Sequence, residues 1–69
     1  MSFQRRKVLQ ALVRHGVVVL REGAGHTILR GAEGRWTSVG RHSQLNRVTV
    51  RKMIKQLGLD PDELMKEMR

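Results

Sequence analysis

Two histidines stand in settings that suit acid–base chemistry at a phosphate. His26 directly follows Gly23-Ala24-Gly25 and opens the segment Thr27-Ile28-Leu29, while His42 sits in Arg41-His42-Ser43. An imidazole, with an unperturbed pKa of about 6.5, takes or gives a proton near neutral pH. Guanidinium groups stabilise negative charge that grows on a phosphate during reaction, and Arg35, Arg41 and Arg47 lie nearby in sequence. The glycines before His26 let a phosphate approach the backbone and leave amides to bind it. The residues by themselves also admit plainer roles: a turn histidine satisfied by a backbone carbonyl at 26, and a loop-capping or orienting histidine at 42. His15, near a helix end, is expected to be structural. No spacing among His26, His42 and a carboxylate matches a metal-ligand pattern, so neither metal nor cofactor is expected.

The elements that would position these groups follow from periodicity. Residues 2–15 read as a helix with Ser2 as N-cap, an apolar stripe of Val8, Leu9, Leu12 and Val13, and Gly16 at the left-handed position that ends it. Arg5, Arg6 and Lys7 near its start oppose the helix dipole, which hints at use in binding. Val17-Val18-Val19-Leu20 is a β-branched run and reads as a strand. Residues 21–25 form a turn, 26–30 a second strand, 31–34 a second turn, and 35–39 a third strand. Turns this short predict an antiparallel meander.

Residues 40–46 read as a loop. Thr49 is positioned to cap the next helix, where Val50, Met53, Ile54 and Leu57 repeat at i, i+3, i+4 and i+7. Gly58 stops that helix. Asp60-Pro61-Asp62-Glu63 is a strong start for another, with Leu64, Met65 and Met68 as its apolar face. The order α-β-β-β-α-α predicts one α+β domain over residues 1–69, with a three-stranded antiparallel sheet packed on helices. Alternation places His26, Ile28 and Arg30 on one face of the sheet and Thr27 and Leu29 on the other. Both faces carry an apolar residue, so the pattern leaves open which face meets the helices.

Charge narrows the class of partner. Fourteen Lys and Arg against six Asp and Glu give a net charge of +8. The last ten residues carry four acids and two bases, so residues 1–59 carry twelve bases and only two acids, Glu22 and Glu33. From position 35 to 55 there are six bases and no acid. Such a field attracts polyanions, nucleic acid first. Arg51, Lys52 and Lys55 on the predicted basic helix are candidates to grip phosphates, and a solvated face opposite the apolar stripe is the equal alternative. Trp36 and Phe3 are the only aromatic side chains. Core or cross-strand packing is expected for Trp36, with stacking on a base as the alternative, and so few aromatics argue against a stacking platform on the sheet. The chain has no cysteine, and no apolar run approaches the roughly 20 residues of a membrane span. A soluble cytoplasmic protein is the expectation.

Taken together and in order, these motifs resemble the HicA toxin family of type II toxin–antitoxin systems. Ala24-Gly25-His26 takes the place of a Gly-Ser-His turn. Gly34-Arg35 takes the hairpin position, Arg41-His42-Ser43 the place of a Pro-Arg-His-Ser loop, and Thr49-Val50-Arg51-Lys52 the start of the basic helix. The resemblance runs from about residue 8 to residue 68. It implies a fold like a double-stranded-RNA-binding domain and an endoribonuclease that cuts messenger RNA independently of the ribosome. It also implies His26 as the catalytic residue, and a HicB-type antitoxin that covers it and presents acidic or hydrogen-bonding groups. Two positions depart from the pattern. Gly25 replaces a common Ser and so removes a hydroxyl beside His26. Gly40 replaces a common Pro and is expected to loosen the loop before His42.

RNA cleavage of this kind uses the substrate's own 2′-OH as nucleophile. A base takes its proton, an acid protonates the departing 5′-oxygen, and cations stabilise the charge on phosphorus. His26 would serve proton transfer, with His42 and Gly25 as auxiliary candidates. Arg35, Arg41, Arg47, Arg51, Lys52 and Lys55 would bind RNA. The alternative is a module of the same shape that binds structured RNA without cutting it, since recognition by shape and 2′-OH contacts needs only the basic surface. A helix–turn–helix DNA binder is disfavoured by the acidic last helix and the intervening strands.

Overall fold

The computed structural model describes residues 2–68. Its elements are β1 (Ser2–Gln4), α1 (Arg5–Arg14), β2 (Val18–Glu22), β3 (His26–Arg30), a 3-10 turn (Ala32–Gly34), β4 (Trp36–Gly40), β5 (Gln44–Asn46), α2 (Arg47–Gln56) and α3 (Pro61–Glu67). The α+β class and the three-stranded antiparallel sheet agree with the sequence reading. The sheet has the order β2-β3-β4, and β1 and β5 form a separate two-stranded sheet.

That small sheet corrects two expectations. Residues 2–4 do not begin the first helix, and residues 40–46 are not all loop. Phe3 pairs with Leu45 across β1 and β5. Leu45 is buried and Phe3 packs against the same core. The pairing joins segments about forty residues apart, so no local pattern announces it. Ser2 therefore caps nothing. The N-cap of α1 is Gln4, whose side chain makes no capping bond, and the Arg5 amide donates instead to the Ser43 carbonyl at 2.8 Å. Likewise Asn46, not Thr49, caps α2, accepting from the Val48 amide.

Both longer helices end as the sequence reading requires. Gly16 and Gly58 adopt φ of +89° and +82°. At each end the amide after the glycine reaches back to the helix, Val17 to Leu12 and Leu59 to Ile54, both at 3.0 Å. This closure uses carbonyls the last turn leaves unpaired, and a left-handed residue is what permits it.

The core lies between the helices and one face of the sheet. Val8, Ala11 and Leu12 of α1 meet Val50, Met53 and Ile54 of α2 and Leu64 and Met65 of α3, with Leu57 and Met68 alongside. Each of these side chains except Ala11, fully buried, contributes on the order of 1.5–3 kcal/mol of transfer free energy. Val13, expected in the stripe, is 54% exposed because Ala11 completes the buried face. The sheet supplies Leu29, Val39, Thr27 and Thr37 to this side. Thr27 and Leu29 therefore face the helices, and His26, Ile28 and Arg30 face away. This settles the orientation that alternation left open.

β2 lies at the sheet's edge and all five of its residues are exposed. The pairing with β3 shifts register between Val19 and Arg21, which leaves Leu20 as an extra residue. β2 continues through Arg21 and Glu22, which the sequence assigns to the turn. No helix among the described residues is long and apolar enough to cross a membrane.

Candidate active site

β3 opens at His26, and the tight connection from β2 sets its position. The Gly23 amide donates to the His26 carbonyl at 2.8 Å. This bond closes the hairpin and takes one amide that the sequence reading reserves for phosphate. His26 itself is exposed. It lines a depression of about 240 Å³ together with Arg21, Gly23, Ala24, Gly25 and Ile28. Arg21 is a cation that the sequence leaves out of the site, because residues 21–25 read as a turn and not as strand paired with Ile28. The register brings β2 back beside Ile28.

Across the sheet, His26 pairs with Gly40, the last residue of β4. Cross-strand partners project their side chains to the same side, with Cβ atoms about 5 Å apart. Gly40 has no side chain, and the imidazole of His42 stands close over the space this leaves. A Cβ built on Gly40 would stand 3.3 Å from His42 Cδ2 and 3.8 Å from Nε2. The two imidazoles are thus set on one side of the sheet, at the same strand end.

The strand end is pinned by Arg5, at the start of α1. Its Nε donates to the Gly40 carbonyl at 3.3 Å. Its Nη2 donates to the Thr27 hydroxyl and lies 3.5 Å from Glu22 Oε1. One guanidinium therefore ties β2, β3 and β4 together. The loop after Gly40 is not left loose by the missing proline: Arg5 holds both the Gly40 and Ser43 carbonyls. Arg5 also fulfils a positioning role, where its unfavourable place on the helix dipole suggested binding.

The remaining predicted residues divide. Arg41 follows the same strand end but is drawn toward the helical side: it is exposed, and its Nη1 lies 3.9 Å from the same Glu22 carboxylate that Arg5 approaches. With Arg5, Arg6, Gln4, Ser43 and Gln44 it lines a second, polar hollow of about 420 Å³. Arg35 is brought elsewhere. It precedes β4 at the opposite end, where its side chain lies across Gly58; a Cβ on Gly58 would meet Arg35 Cδ at 3.0 Å. Arg51 ties α2 to α3, donating to Asp62 Oδ1 at 3.0 Å. That hydrogen bond, with the charge behind it, holds the Asp62 carboxyl below its ordinary pKa. Arg47, Lys52 and Lys55 are exposed. Lys52 and Lys55 stand on α2, whose buried face packs on the covered side of the sheet, so they lie across the sheet from His26.

His15 is tied to the last helix, with its Nε2 2.5 Å from Glu67 Oε2. Trp36 is not in the core. It is 63% exposed on the open face, opposite Arg30. Among the described residues no three His, Cys, Asp or Glu side chains gather as a metal site.

A family model described as the HicA toxin of bacterial toxin–antitoxin systems matches residues 5–59 of the 69. The chain belongs to the HicA toxin family. It is thus the toxin of a toxin–antitoxin pair, and a partner antitoxin is implied. The matched segment contains Arg5, His26, Gly40 and His42. Neither a curated protein nor a solved structure matches this toxin.

Proposed function

We propose that this toxin is an endoribonuclease that cuts messenger RNA independently of the ribosome, with His26 as its acid–base residue. One observation carries the reading. His26 and His42 project on one side of the sheet at the same strand end, around a residue with no side chain. Two imidazoles so placed match the two proton transfers of RNA cleavage. The 2′-oxygen attacks phosphorus and loses its proton to one base. The bond from phosphorus to the 5′-oxygen breaks, and an acid protonates that oxygen. The products are a 2′,3′-cyclic phosphate and a free 5′-hydroxyl. Arg21, which lines the same depression as His26, supplies positive charge where the phosphorane gathers negative charge.

A HicB-type antitoxin would inhibit by covering His26 and presenting carboxylates to Arg21 and Arg41. An mRNA target places the activity in the cytoplasm. The test is cleavage of a long RNA by the purified chain in EDTA. The native chain is expected to degrade it, and His26→Ala to stop degradation while keeping the native circular dichroism. Unchanged cleavage by that variant removes the catalytic assignment. Salt-sensitive binding without cleavage by the native chain turns the reading into a non-catalytic RNA-binding module.

A further inference from the structure

The face of the sheet that carries His26 also carries the chain's single tryptophan. Register sets Val18, Arg30 and Trp36 in one cross-strand row, Arg21, Ile28 and Ser38 in the next, and His26 with Gly40 at the end. Trp36 is 63% exposed there, and Arg30 and Arg21 are exposed beside it and in the next row. None of the three rows contains an acid. Glu22 falls instead in the row of Thr27 and Val39, on the helical side, with its carboxylate toward Arg5.

An indole face takes a nucleobase by stacking, and guanidinium groups track the phosphates between bases. Duplex RNA hides its base faces within the stack, so a stacking side chain selects unpaired strands. The spacing fits a strand lying along the sheet. The rows of Trp36 and His26 are four residues apart on β3, about 13 Å at a rise of ~3.3 Å per residue. The fold's open face thus offers one stacking group, two cations and one acid–base group spread over three rows across its three strands.

We propose that this face is a track for single-stranded RNA leading to His26. Trp36 stacks on a base a few nucleotides from the cut bond, and Arg30 and Arg21 neutralise the phosphates between. The proposal rests on the ribonuclease reading of His26. It makes Trp36 a substrate-binding residue that sets the preference for unpaired RNA.

Because Trp36 is the sole tryptophan, its emission reports on the face directly. The His26→Ala chain is titrated with a short single-stranded RNA of mixed sequence, and with the same sequence annealed to its complement. Saturable quenching by the single strand and little by the duplex is expected. Stacking of one base sets the size of the effect: Trp36→Ala weakens binding about tenfold and Trp36→Phe restores most of it. With His26 intact, Trp36→Ala raises KM more than it lowers kcat. Unquenched emission alongside His26-dependent cleavage overturns the track and leaves the ribonuclease reading standing. Quenching with cleavage that survives His26→Ala removes the track's destination and overturns both. Equal quenching by the duplex overturns the selection for unpaired RNA. If Trp36→Ala leaves RNA affinity unchanged but frees the toxin from its antitoxin, the face belongs to the protein partner and the proposal falls.

Discussion

The imidazole of His42 packs tightly against the position a side chain on Gly40 would take, 3.3 Å from where its Cβ would stand. Gly40 is also the cross-strand partner of His26. The residue between the two histidines is therefore their common reference point, and its lack of a side chain is what lets the second ring come over the sheet.

Gly40→Ala tests that relationship. The added methyl forces His42 aside by a few tenths of an ångström. Misplacement on this scale is expected to lower RNA cleavage about tenfold. Thermal melts should show little loss of stability. If both changes act through the one ring, the double variant cleaves no more slowly than His42→Ala alone; fully additive losses in the cycle would show that Gly40→Ala acts elsewhere.

Arg5→Ala should cost both stability and activity. Its side chain is only 17% exposed, and its guanidinium serves Gly40, Thr27 and Glu22 at once. Removing it leaves the buried Thr27 hydroxyl without that partner, a loss of about 1–3 kcal/mol. Arg5→Lys should rescue little, since one ammonium cannot reproduce a planar fork that reaches three strands. Denaturant melts and cleavage rates on the three chains check this.

Gly25 and Gly31 should respond in opposite ways. A Cβ on Gly31 would stand 2.4 Å from the Leu57 carbonyl oxygen, a backbone atom held by the end of α2. Gly31→Ala must push α2 off the hairpin, and overpacking of this kind costs about 1–3 kcal/mol or more. A Cβ on Gly25 meets nothing within 4 Å. Gly25→Ser should therefore leave the melting curve unchanged. It restores the hydroxyl that the family pattern places beside His26, and the cleavage rate is expected to rise.

Acid should loosen the third helix first. The hydrogen bond from Arg51 and its charge lower the Asp62 pKa. Glu67 is lowered by its hydrogen bond to His15, with further help from the charges of His15 and Arg14. Folded values below the unfolded ones mean that these ties stabilise above the ordinary carboxylate pKa. The contribution is lost as pH falls through the lowered values. Both groups are exposed, so the effect is small and weakened by salt. The Asp62→Asn, Glu67→Gln double variant should melt slightly lower at neutral pH and show a shallower decline in acid.

Local sequence determined the parts of this protein that local chemistry controls. The i, i+3, i+4, i+7 repeat from Val50 to Leu57 specified α2's buried face, Gly16 and Gly58 specified the helix ends, and Asp60-Pro61 specified the start of α3. His26 opening a strand after a glycine turn was likewise legible, since turn residues act within a few positions. The β1–β5 pairing was not, because its partners are joined only by the folded chain. Nor was the division of the cations. Arg5 and Arg51 became ties between elements, and Arg35 went to the far end, because ion pairs depend on where distant segments pack. For Trp36 the sequence left core packing, cross-strand packing and base stacking open, and the strand pairing exposes it on the open face opposite Arg30. The site's defining feature, His42 set over Gly40 beside His26, required antiparallel register to bring residue 40 opposite residue 26. Sequence supplied the two imidazoles, and the strand pairing placed them on the same side.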